Sequence, residues 1–104
     1  MKIVNPVRVY DSRHMGVHTK GETRSVRVDT VDAAFVNITV VDPADGGFLT
    51  AWAGTTMVPN VSNVNFSKGQ TTANSSWVPV GPNGMIKIFT SAGCHVLVDL
   101  QAVV

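Results

Sequence analysis

The sequence predicts one all-β domain, an antiparallel β-sandwich or jelly roll of about seven to eight short strands over residues 1–104. Val occurs 19 times and Thr 10 times, against three Leu and one Glu, and β-branched residues favour the pleated backbone. Apolar and polar residues alternate with a period of two in most segments. Clusters of Gly, Pro, Asn and Asp interrupt these segments at short intervals. A chain of this length can build one core, so we expect a single domain.

The first half of the chain contains three predicted strands. Residues 24–28 alternate, whereas Ala33–Val41 is almost continuously apolar or β-branched, which is typical of a strand covered on both faces. A turn is predicted at 42–47, because it contains Asp, Pro and two Gly. We expect residues 48–53 to return as the hairpin partner of Ala33–Val41. Residues 11–21 are polar and irregular, and they are predicted to form a loop.

The second half contains four predicted strands separated by turns. Residues 61–66 and 73–80 are the first two, and the Gly-Pro-Asn-Gly sequence at 81–84 gives the clearest hairpin signal in the chain. Met85–Thr90 alternates, with Ile86 and Ile88 on one face. Residues 94–100 alternate in the same way, and pairing of these last two strands is expected to bury one face of each.

The charged residues are few and unevenly distributed. Hydrophobic residues make up 44% of the chain and charged residues 14%, with a formal net charge of +1, which excludes a disordered chain and indicates no nucleic-acid partner. Residues 1–27 hold six basic and two acidic residues, whereas the other 77 hold two basic and five acidic ones. This asymmetry makes the basic segment a candidate docking face, and a solvated basic loop is the ordinary alternative. The candidate docking residues are Arg8, Arg13, Lys20 and Arg24.

Features of export and membrane insertion are not evident in the sequence. Cys94 is the single cysteine, which excludes an intramolecular disulfide. No run of about 18 apolar residues is present, so no membrane partner is expected. Pro6 interrupts the N-terminal segment before the apolar core of a signal peptide could form. We therefore expect the protein to remain in the compartment in which it is translated.

The pattern of reactive residues gives no catalytic or metal site. Cys94 and His95 are adjacent, but neighbours on a strand point to opposite faces, so a small buried cysteine is predicted. His14 and His18 have the spacing of a helical zinc pair, although Gly16 argues against a helix there. The Asp and Glu residues occur in no recognisable catalytic context. The sequence therefore predicts a non-enzymatic protein without a metal or cofactor.

The two tryptophans suggest a second kind of binding. Trp52 and Trp77 could stack on sugar rings, because the CH groups of a sugar pack against aromatic faces, and core packing is the ordinary alternative for each. Exposure of the indoles distinguishes the two alternatives.

Six short motifs occur in order along most of the chain. They are Arg8-Val9-Tyr10-Asp11-Ser12-Arg13, Val36-Asn37-Ile38-Thr39-Val40, Asp42-Pro43 followed by Gly47-Phe48-Leu49-Thr50, Pro59-Asn60-Val61-Ser62-Asn63-Val64-Asn65-Phe66, Gly69-Gln70-Thr71-Thr72-Ala73-Asn74, and Gly84 followed by His95-Val96-Leu97-Val98-Asp99. In combination they resemble a β-rich domain of actinobacterial cell-surface and secreted proteins, with Ser12 in place of Thr in its D-T-R entry motif. The family domain usually continues to a Gly-Tyr-Phe type ending, whereas this chain ends in Gln101-Ala102-Val103-Val104.

The resemblance implies a function outside the cell for a chain in which no export signal is evident. Proteins of a bacteriophage virion combine these two properties, because they assemble in the host cytoplasm and leave the cell by lysis. We therefore expect a small capsid decoration protein on the exterior of an actinobacteriophage head, bound as a homo-oligomer to the major capsid protein or another virion protein. The alternative is a carbohydrate-binding or cell-wall-binding module of a phage tail or bacterial surface protein, with a host cell-wall glycan as partner.

Overall fold

The computed structural model describes residues 1–104 and contains eight β-strands. The strands are β1 (Lys2–Asp11), β2 (Glu22–Arg27), β3 (Ala33–Val41), β4 (Gly47–Trp52), β5 (Val64–Phe66), β6 (Thr72–Pro79), β7 (Met85–Thr90) and β8 (His95–Val103). Two single 3-10 turns, Ser12–His14 and Pro82–Gly84, are the only helical segments. The structure has no helix that is long and apolar enough to cross a membrane.

The strands form two four-stranded antiparallel sheets that pack face to face. The β1 sheet has the order β1-β8-β3-β6, and the β2 sheet has the order β2-β7-β4-β5. β1 pairs with β8, β2 with β7, β3 with β6 and β4 with β5. This is the pairing of one long hairpin wound into two layers, which is the jelly-roll arrangement. The predicted all-β fold class is therefore confirmed.

One hydrophobic core lies between the sheets, and alternate residues of the central strands build it. On β3 these residues are Ala34, Val36, Ile38 and Val40, and all four are fully buried. The facing β2 sheet contributes residues such as Ile88 to the same cluster. The other positions of β3 are only partly exposed and form the outer surface of the β1 sheet. The prediction that this strand is covered on both faces is therefore wrong.

Three predicted strand pairings are also wrong. β3 pairs with β6 and β8 and not with β4, β7 pairs with β2 and β4 and not with β8, and β6 does not pair with β7. The turn at 81–84 carries the chain from the β1 sheet to the β2 sheet, so it joins no hairpin, although Asn83 adopts the expected positive φ of 66°. Each turn signal correctly marks a change of direction. It contains no information on whether the next strand enters the same sheet.

Strand β1 is the element that the sequence patterns did not predict. Its first seven residues are mostly exposed on both sides, so they show no alternation, and Pro6 lies among them. Pairing with β8 is irregular at two places, between Ile3 and Val7 and between Arg8 and Tyr10. A proline and such irregularities are typical of edge strands, because they hinder pairing with a further strand. The β1 edge is therefore poorly suited to pairing with a further strand.

Candidate functional site

The candidate docking arginines are engaged within the chain. The Arg8 guanidinium donates two hydrogen bonds to the Asp99 carboxylate, at 2.9 and 3.2 Å. Arg13 binds both carboxylate oxygens of Asp11, at 3.0 and 2.9 Å, and holds the pKa of that carboxyl well below its usual range. Lys20 is exposed and forms no ion pair. Most of this positive charge is thus neutralised locally.

Arg24 belongs to a network of hydrogen bonds that connects β2 to β1 and to the loop before β2. Its guanidinium contacts Glu22, the carbonyls of Gly16 and Val17, and the Tyr10 hydroxyl at 3.1 Å. The same hydroxyl lies 2.7 Å from Nε2 of His18, which is fully buried. Because arginine can only donate, the Tyr10 hydroxyl accepts from Arg24 and donates its own proton to Nε2. The Arg24 side chain therefore fastens the 16–18 segment to the core.

The buried imidazole of His18 is held in its neutral form. Nε2 accepts the hydrogen bond from Tyr10, so the single ring proton of the neutral imidazole is on Nδ1. Nδ1 has no hydrogen-bond partner. Burial, together with the positive charge of Arg24, lowers the pKa of His18 to about 4. His14 lies on the surface, where its Nε2 is 3.5 Å from Asp11, so the two histidines do not form a pair. No group of three His, Cys, Asp or Glu side chains is arranged to hold a metal ion.

Ser12 and His95 have the spacing of a nucleophile and its base, but the serine is inaccessible. Ser12 Oγ lies 3.0 Å from Nδ1 of His95 and accepts a 2.7 Å hydrogen bond from the backbone N–H of Val96. The serine is fully buried, so a substrate carbonyl cannot approach its hydroxyl. Burial also raises the pKa of the Cys94 thiol to about 11 and so disfavours the reactive thiolate. These residues support the fold.

Replacing Ser12 by Ala should destabilise the protein by about 1–3 kcal/mol, because the buried N–H of Val96 loses its acceptor. Urea unfolding measures the effect. Ser25→Ala, at an exposed position of β2, is the matched control and should change the free energy of unfolding by less than about 0.5 kcal/mol. Equal stability of the two variants would contradict this role of Ser12.

The two tryptophans are in different environments. Trp52 is 8% exposed, because the chain after β4 folds over it and the carbonyl of Thr56 accepts a 3.2 Å hydrogen bond from its indole N–H. Trp77 is 42% exposed on the outer face of the β1 sheet. Phe35 lies directly opposite it on β3, with ring centroids 5.2 Å apart and planes inclined by 41°. Only Trp77 therefore offers a surface on which a ligand ring could stack.

A row of polar side chains crosses the same face beside the aromatic pair. Ser75 lies opposite Asn37, Asn37 opposite Asp99, and Asp99 opposite Arg8, so the row spans all four strands. We call these four residues the polar row. Gln101 lies next to it, with Oε1 3.3 Å from the Ser75 hydroxyl. Arg8 is the one member of the polar row that was singled out from sequence, as a docking residue. Phe35 and the row as a whole were not predicted as a site, because only the pairing of β3 with β6 and β8 brings these residues together.

A second aromatic patch lies on the opposite face of the molecule. Phe48 and Phe89 lie on neighbouring strands of the β2 sheet, with ring centroids 5.9 Å apart. The loop after β4 forms the other wall of an open groove of about 520 Å³, to which Val58, Pro59 and Val61 contribute. Phe48 is exposed, so this patch is accessible to a partner.

The outer surfaces of the two sheets thus present aromatic side chains, neutral polar side chains and internally paired charges, an arrangement suited to binding.

Comparison of the chain with protein-family models, curated protein sequences and solved structures gives no match. The resemblance to the actinobacterial surface domain therefore stays a prediction.

Proposed function

We propose that this protein is a non-enzymatic structural protein of a bacteriophage virion, a decoration protein bound in many copies to the exterior of the phage head. It docks on the major capsid protein or on another virion protein, as part of a homo-oligomer assembled in the host cytoplasm. Neither nucleic acid nor a membrane is among its proposed partners.

The observation that supports this proposal is the presence of two aromatic patches on opposite outer faces of one small jelly roll. One patch contains Phe35 and Trp77, and the other contains Phe48 and Phe89. A protein with two such faces can contact the shell with one and a neighbouring copy with the other. Each contact is small, but symmetric repetition over a shell adds many of them together.

The aromatic faces support docking more strongly than the basic residues do. Arg8, Arg13 and Arg24 each form an ion pair with a carboxylate of the same chain. An exposed ion pair retains little attraction for a distant partner, because the opposite charges cancel and salt screens the remainder. We therefore assign shell binding to aromatic contacts, with Lys20 contributing free positive charge at the periphery.

Quantitative mass spectrometry of purified virions tests the proposal. We expect this chain in a copy number comparable to that of the major capsid protein, and negative-stain images with an antibody to the chain should show label on the head. Its absence from virions, or its presence in only a few copies, would exclude decoration.

A second candidate function is binding to a cell-wall glycan, and the exposure of Trp77 favours it. A protein at the tip of a tail or on a bacterial surface would use such a platform to attach to the wall. Sedimentation with protein-free actinobacterial cell walls tests this function, and retention of the protein in the supernatant at every wall concentration would count against it.

A further inference from the structure

We infer that the outer face of the β1 sheet is a binding site for a neutral glycan, in which Phe35 and Trp77 form the stacking platform and Ser75, Asn37 and Gln101 bind sugar hydroxyls. This inference specifies the site and ligand class of the second candidate function, on which it rests. It does not require the protein to be a virion component.

The aromatic pair supplies the apolar part of the site. Phe35 and Trp77 are directly opposite on adjacent strands, and Trp77 is the more exposed of the two. The Phe35 ring is partly buried, so it supports the indole from one side and restricts its rotation. A side chain that is already restricted loses little conformational entropy when a ligand binds. The CH face of a sugar can therefore pack on a preorganised ring.

The neutral polar side chains beside the platform have unused hydrogen-bonding capacity. The Ser75 hydroxyl lies within reach of two amide oxygens, Oδ1 of Asn37 at 3.0 Å and Oε1 of Gln101 at 3.3 Å. A hydroxyl has one proton, so it can satisfy only one of these acceptors at a time. The other acceptor is free to accept a hydrogen bond from water or from a ligand. A sugar hydroxyl fits this position, because it both donates and accepts.

The charges at the end of the polar row select against a charged ligand. Asp99 would attract cations and Arg8 would attract anions, but the two are joined by a bidentate ion pair. The two charged members of the polar row therefore compensate each other, and the row presents no net charge beside Trp77. Single-stranded nucleic acids need a positively charged groove beside their stacking platform, so this face suits them poorly. A neutral ligand rich in hydroxyl groups is the class that fits.

Calorimetric titration of the whole protein with a panel of neutral oligosaccharides of glucose, galactose and mannose tests the site, with a polyuronate as the charged comparison. We expect at least one neutral oligosaccharide to bind, and the polyuronate to bind more weakly. Trp52 is buried, so a change in tryptophan fluorescence on binding should arise from Trp77 and be absent in Trp77→Ala.

Trp77→Ala should weaken binding about tenfold or more, because a lost aromatic contact of about 1.4 kcal/mol corresponds to that factor. Asn37→Ala should weaken it about fivefold through the loss of a hydrogen bond of about 1 kcal/mol. Met15→Ala, which truncates a 67% exposed apolar side chain just after the Ser12–His14 turn, is the matched control and should leave affinity within about twofold of the parent. Thermal melts establish that each variant is folded.

The outcomes separate the site from the function. Binding of a neutral oligosaccharide that survives Trp77→Ala would overturn the site while leaving glycan binding intact. If no neutral oligosaccharide binds, the site is overturned, and if the cell-wall sedimentation is also negative, the second candidate function is overturned with it.

Discussion

Replacing Val96 by Asp should abolish cooperative folding. Val96 is 0% exposed and lies on β8, between β1 and β3, where its side chain belongs to the single core. A carboxylate at this position would lie among the apolar side chains of the core, and an uncompensated buried charge costs about 4 kcal/mol or more. Domains of this size are stable by about 5–15 kcal/mol, so a cost of this size removes most of the stability at the lower end of that range. Ile88→Asp, in the facing sheet, should have the same effect.

Circular dichroism and thermal melts measure the result for both core variants. Ala73→Asp is the matched control, because Ala73 is exposed on the edge strand β6 and a carboxylate there stays in water. We expect Ala73→Asp to melt cooperatively within a few degrees of the parent. A cooperative melt of Val96→Asp at the same temperature would mean that β8 presents its other face to the core.

Acid should destabilise the protein between about pH 6.5 and pH 4 through His18. Its pKa is lowered to about 4 in the folded protein, whereas an unfolded histidine titrates near 6.5. Between these values the unfolded chain binds a proton that the folded protein does not, so the free energy of unfolding falls as the pH is lowered. The loss is on the order of 3 kcal/mol, at about 1.4 kcal/mol for each pKa unit.

Urea unfolding at a series of pH values measures this dependence, and two variants assign it. His18→Gln should be less stable at pH 7 but should lose most of the slope, because its amide does not titrate in this range. His14→Ala, at the exposed histidine, should keep the slope and have nearly parental stability. Protonation of Glu22 causes a separate loss of stability at lower pH, because its ion pair with Arg24 lowers the pKa of Glu22 to about 2. A constant free energy of unfolding between pH 7 and pH 4.5 would contradict the role of His18.

Local sequence patterns predicted most strands and the buried side of several. The bounds of Ala33–Val41 and Met85–Thr90 are as predicted, and Cys94 is the small buried residue that was expected. Alternation succeeds for Met85–Thr90 because a strand in a two-layer fold has one face in the core and one in solvent. The same rule fails for β1, whose first half is exposed on both faces and so contains no alternation to detect.

The candidate site could be predicted only in part. Trp77 was among the residues singled out, but Trp52 ranked equally with it, and the loop that covers Trp52 is not evident from its neighbours in sequence. Phe35, Asn37 and Gln101 lie on strands that local signals paired wrongly. Their proximity depends on long-range pairing of β3 with β6 and β8.

The sequence by itself determined the all-β class, the positions of most strands and turns, and which residues of the central strands are apolar enough to be buried. These properties are local, because side-chain direction and turn conformation depend on near neighbours. Only the tertiary structure decided the winding into a jelly roll, the ion pair of Arg8 with Asp99, and the meeting of Phe35 and Trp77 beside the polar row. Each of these depends on which distant strands share a sheet, and that choice is made by burial of the whole core at once.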